Sequence, residues 1–81
     1  MSEPFDAEGF NEDVGRRIQF QRKQRRLTQQ EVADIVGIPR ATYANHESGR
    51  QRIAADVLWR VALTLECPIV RLLPEPVRGR A

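Results

Sequence analysis

Arg40, Ala41, Ala44 and Asn45 are the residues whose types and spacing carry usable chemistry. At about 100° per residue they share one side of a short helix. An arginine offers a fork of donors that matches the O6 and N7 acceptors of guanine. An asparagine amide pairs with the N6 and N7 edge of adenine. Ala41 and Ala44 are short enough to allow close approach, and Ala41 could touch a thymine methyl. By the same periodicity Pro39, Tyr43 and His46 face the opposite way, and we assign them to the core.

Residues 27–49, LTQQEVADIVGIPRATYANHESG, supply the elements that must position this edge. Thr28 opens a helix, and Glu31 stands three residues later, the spacing of a capping box. Val32, Ala33 and Val36 fall on one stripe, and Gly37 ends the helix as a residue tolerant of the left-handed conformation. A second short helix runs from about Pro39 to Glu47. Two helices joined so tightly form a helix-turn-helix, whose second helix is built to enter a DNA major groove.

Around this pair the chain predicts three further helices. Asn11 is the expected N-cap of a helix from about Glu12 to Arg25, with Val14, Ile18 and Gln21/Arg22 inward. SGRQR, residues 48–52, is a basic loop. A fourth helix from about Ala54 to Leu65 buries Ala54, Val57, Leu58, Val61, Ala62 and Leu65, and Pro68 opens a short fifth through Leu73. The expected class is all-α, a compact five-helix domain over residues 11–74, with an acidic flexible tail at 1–10 and a short tail at 75–81. Strand-like alternation and internal repeats are absent.

The chain has 81 residues and a formal charge of +2, which hides an asymmetry. Residues 1–13 hold Glu3, Asp6, Glu8, Glu12 and Asp13 and no basic residue, whereas Arg16, Arg17, Arg22, Lys23, Arg25 and Arg26 crowd into one helix-length stretch. A basic body suggests a polyanionic partner. The acidic tail would either compete with that partner for the basic surface or serve as a plain extension. One histidine, one cysteine and no clustered carboxylates leave no catalytic constellation, so neither an enzyme nor a metal or cofactor site is expected. Cys67 is expected to fill a small core space. No apolar run approaches the ~20 residues of a membrane span, and the N-terminus lacks an apolar signal core, so the expected compartment is the cytoplasm.

The sequence resembles the phage-repressor and Cro (XRE-like) helix-turn-helix family. The resemblance runs from Val14-Gly15 through Arg22, Leu27-Thr28-Gln29, Val32-Ala33, Val36-Gly37, Glu47-Ser48-Gly49-Arg50 and Leu58 to Leu72-Leu73. It implies operator binding, usually as a symmetric dimer, and regulation of transcription, repression before activation. By position it implies that Arg40, Ala41 and Asn45 face bases. Thr28, Gln29, Ala44, Arg50 and Arg52 then lie along the DNA backbone, with Gln29 also bracing the recognition helix. Arg22 and Glu47 form a structural ion pair. Four positions depart from the pattern: Arg26 and Glu66 stand where glycine is frequent, Pro39 where a Ser or Thr cap is usual, and His46, read as structural, where an aliphatic residue is typical. Trp59, Leu63 and Val70 are the candidate homodimer face; the alternatives are that they cover Phe5 and Phe10 or complete the monomer core. An antitoxin-type protein, binding a toxin or co-regulator through that patch as well as its own operator, is the competing function.

Overall fold

A computed structural model describes residues 5–75. In chain order they form α1 (Ala7–Gln24), α2 (Gln29–Val36), α3 (Arg40–Ser48), α4 (Ala55–Thr64) and a 3-10 turn, Ile69–Leu72. The fifth helical element is therefore that single turn. Residues 1–4 and 76–81, which hold the start of the expected N-terminal tail and nearly all of the C-terminal one, lie outside the described residues.

The first helix starts earlier than its sequence pattern predicts. Asp6, not Asn11, is the N-cap, and its Oδ1 accepts the Gly9 amide at 2.9 Å. Ala7–Phe10, expected in the tail, thus belong to α1, and Phe10 packs against the core. An aspartate is as good a cap as an asparagine and adds a charge suited to the helix dipole. From there α1 buries Val14, Gly15, Ile18 and Arg22.

In α2 the Thr28 hydroxyl accepts from the Glu31 amide at 3.0 Å, and the Glu31 carboxylate accepts from the Thr28 amide at 2.8 Å. Gly37 closes α2 at φ +88°. Arg60 of α4 donates to the Val36 carbonyl at 2.8 Å, which ties α4 to the last turn of α2. Val14 and Ile18, Val32, Ala33 and Val36, Tyr43, Leu58, Val61, Ala62 and Leu65, and Leu72 make one core to which every element contributes. Cys67 packs at its margin, where burial pushes its thiol pKa up.

Two inward assignments are corrected. Pro39 and Ala54 are exposed. Each is the N-cap of its helix, in extended backbone (ψ +146° and +151°), so neither lies on the helical rotation from which its direction was inferred.

The two positions where glycine is frequent in the resembling family are the non-glycine residues at positive φ among the described residues: Arg26 at +56° and Glu66 at +54°. A left-handed non-glycine residue costs about 1–2 kcal/mol, and glycine adds about 0.5–1 kcal/mol of unfolded-state entropy. Arg26→Gly and Glu66→Gly are each expected to stabilise by about 0.5–1 kcal/mol, raising the thermal midpoint by about 2–6 °C in a calorimetric scan. An unchanged or lowered midpoint would show that neither backbone is strained.

Candidate nucleic-acid interface

The site rests on a buried charge. Glu47, in the last turn of α3, has a side chain 2% exposed, and the Arg22 side chain beneath it is 10% exposed. Arg22 grips the carboxylate with two donors, Nε to Oε2 at 2.6 Å and Nη2 to Oε1 at 3.0 Å. Its remaining nitrogen, Nη1, donates to the Leu27 carbonyl at 2.8 Å, in the turn between α1 and α2. Gln29, the first residue of α2, donates its amide to Glu47 Oε1 at 2.9 Å. Three helices therefore meet on one carboxylate, and Arg22 ties the turn between α1 and α2 to it. Its fork geometry is what an arginine supplies and a lysine does not.

Burial acts to raise the Glu47 pKa, but the hydrogen bonds from Arg22 and Gln29, the neighbouring Tyr43 hydroxyl and the Arg22 charge outweigh it and hold the carboxyl below its ordinary range. The Arg22 guanidinium is raised in turn, chiefly by its hydrogen bonds to Glu47. The Tyr43 hydroxyl is fully buried with no partner at ordinary hydrogen-bond geometry. Desolvation, and then the neighbouring Glu47, push its pKa far above the usual tyrosine value. His46 is buried as well, and its Nδ1 donates to the Gln51 carbonyl at 3.1 Å, pinning the loop after α3.

Gly15 stands among the residues that carry the resemblance, but its packing role is what sequence reasoning missed. It lies where α1 crosses the end of α3, and a Cβ built there would fall 2.6 Å from the His46 carbonyl oxygen and closer still to that of Glu47. The available signal was a glycine inside an otherwise regular helical stripe.

The outward face of α3 follows. Arg40 and Ala41 are exposed, and Ala44 and Asn45 are half-buried. The Asn45 carbonyl gathers the end of the helix, accepting from Ser48 Oγ at 3.1 Å and from the Arg50 and Gln51 amides at 3.0 and 3.3 Å. Gly49 then turns the chain at φ +80° into the loop that carries Arg50 and Arg52, both exposed. Thr28 is exposed and Gln29 half-buried at the start of α2. Among the described residues the ion pairs use Arg16, Arg17, Arg22 and Arg60; Arg40, Arg50 and Arg52 join none of them. The face thus offers unneutralised positive charge at the start of α3 and in the following loop, with short side chains between them.

Trp59, Leu63 and Val70 are 56%, 57% and 65% exposed. They do not complete the monomer core. Phe5 and Phe10 pack on each other with rings tilted by 53° and centroids 5.6 Å apart, and they border a cleft with Arg52 and Ile53, so they do not lie beneath the tryptophan. Phe20, also exposed, shares a second cleft with Val70. Among the described residues there is no cluster of potential metal ligands, and no helix is long and apolar enough to cross a membrane.

Comparison with known proteins agrees with this architecture. A competence pilus inhibition repressor from Acinetobacter baylyi is 30% identical over 60 residues, 74% of this chain and 54% of that protein. The chain thus spans about half the length of that curated relative. The restriction-modification controller protein C.AhdI from Aeromonas hydrophila superposes with a TM-score of 0.74 at 21% identity, over 76% of this chain and 94% of that one. The hypothetical transcription factor NHTF from Neisseria gives 0.77 at 22% identity, over 94% and 87%. Both share the fold. Residues 18–72 match the HTH_3 helix-turn-helix model, and with well over half of its length so accounted for, this chain belongs to that XRE-like family of regulators.

Proposed function

We propose that this protein binds double-stranded DNA in a sequence-specific manner as a homodimer and represses transcription by occupying its operator. The observation that carries the reading is the recognition helix itself. Its exposed Arg40–Ala41 edge is fixed from behind by the Arg22–Glu47–Gln29 network and flanked by the unpaired Arg50 and Arg52. Arg40, Ala41 and Asn45 would read base edges, with Ala44, Thr28 and Gln29 against the backbone. The sign of regulation follows the competence pilus inhibition repressor of Acinetobacter baylyi, about half of whose length this chain matches.

Selection of bound duplexes from a random pool tests the reading and identifies the bases. Arg40→Ala should then lose discrimination at one base pair by about 1–3 kcal/mol, whereas Arg52→Ala should weaken all sequences alike and flatten the salt slope by about one unit. No preference for any duplex over scrambled competitor would overturn the reading.

Trp59, Leu63 and Val70 support the dimer, because a monomer rarely leaves such a patch uncovered. A dimer predicts half-sites about 34 Å apart and a solution mass twice the 9.3 kDa of one chain. A one-chain mass well above the DNA-binding concentration would reject it. Co-purification of an unrelated protein on the same patch would favour the antitoxin-type alternative instead.

A further inference from the structure

The early start of α1 places an acidic segment beside the loop that carries Arg50 and Arg52. Glu12 lies directly against Gly49: a Cβ built on that glycine would fall 2.7 Å from the Glu12 Cα and 2.8 Å from its Cγ. Just before it in the chain, Phe5, Ala7, Phe10 and Asn11 form an open cleft of about 430 Å³ together with Arg52 and Ile53. Phe10 packs on the core and carries the tilted Phe5 ring against it, which anchors the start of α1. Asp6, Glu8 and Glu12 join none of the ion pairs among the described residues. Their negative charge is therefore not cancelled locally, unlike that of Asp13, which Arg17 neutralises at 3.0 Å.

We propose that the acidic first turns of α1 act as a built-in electrostatic brake on DNA association. The inference rests on the DNA-binding reading above. A phosphate approaching Arg50 or Arg52 meets the field of Glu12, which lies against Gly49 of the same loop, and of Glu8 one turn of α1 before it, about 6 Å along the helix. Attraction by the arginines is partly offset, for every sequence equally, because neither carboxylate is placed on the base-facing edge of α3. The brake lowers non-specific and specific affinity together. Salt screens it, so it matters most where phosphate contacts are strongest.

The test uses the full chain. Glu8→Gln/Glu12→Gln and the parent are titrated by fluorescence anisotropy onto a selected duplex and a scrambled one, from about 50 mM to 500 mM salt. Asp6 is left alone because it caps α1. The double variant should bind both duplexes about three- to tenfold more tightly at the low end, with the gain fading as salt rises and the specificity ratio unchanged. Glu12→Gln is paired with Glu66→Gln, an equal charge change at the far end of α1, where Arg25 donates to the Glu66 carbonyl. Thirteen residues of helix separate Glu12 from Arg25, about 20 Å. Only Glu12→Gln should gain. Parent-like affinity in the double variant, or an equal gain in Glu66→Gln, overturns the brake while leaving DNA binding intact. A parent chain that binds no duplex overturns both.

Discussion

Glu47→Ala is expected to destabilise the fold by about 3–5 kcal/mol, enough to leave an 81-residue domain largely unfolded near physiological temperature. The loss is not the worth of the ion pair. It is the cost of leaving the Arg22 guanidinium buried with two of its three bonded nitrogens stripped of acceptors, and the Gln29 amide without its own. Arg22→Met/Glu47→Leu removes both charges and should recover most of the stability. Its deficit should sit in DNA binding, because nothing polar would then tie α2 to the end of α3. Thermal denaturation of the two variants separates the readings: equal losses would mean that the pair is intrinsically stabilising rather than mutually dependent. The pair also sets an acid limit. Because the folded Glu47 pKa lies below the ordinary value of 4.5, its contribution is complete above that pH. It is lost as pH falls through the folded value. The parent should therefore shed stability below about pH 4.5 more steeply than Glu47→Gln, which has no proton to take up there.

How much of this was legible beforehand depends on whether a residue's role is local. The capping box at Thr28 and Glu31, the stripe of Val32, Ala33 and Val36, and the left-handed stop at Gly37 are each decided within a few residues, and sequence spacing suffices to place them. The absence of glycine at 26 and 66 was visible, and the positive φ there shows that the backbone keeps its turn whatever side chain it carries. The start of α1 was ambiguous because Asp6 and Asn11 are both capable caps, and Gly9 between them weakens the helical signal. Phe10 resolves it through a tertiary contact that no local pattern encodes. The division of α3 into two sides placed Tyr43 and His46 inside and Arg40 and Ala41 outside, but failed at Pro39, where the helical rotation has not begun. Arg60 on the Val36 carbonyl and Gly15 under α3 were out of reach, because each serves a neighbour more than twenty residues away.

Gly15 yields the sharpest contrast between local and tertiary reasoning. In an isolated or solvent-facing helix, Gly→Ala is a gain of about 1 kcal/mol. Here Gly15→Ala should instead cost about 1–3 kcal/mol, because the new methyl meets the backbone carbonyls of His46 and Glu47 rather than a side chain that could rotate away. Relief requires α1 and α3 to separate by about an ångström where they cross. That movement would lengthen the Arg22–Glu47 contacts and tilt the Arg40 edge relative to Arg50 and Arg52. The expected signature is a lowered thermal midpoint together with a loss of operator discrimination exceeding any loss of non-specific affinity, since loop arginines tolerate a shift that bidentate base contacts do not. A Gly15→Ala chain more stable than the parent, with its sequence preference intact, would show that the α1–α3 crossing does not set the aim of the recognition helix.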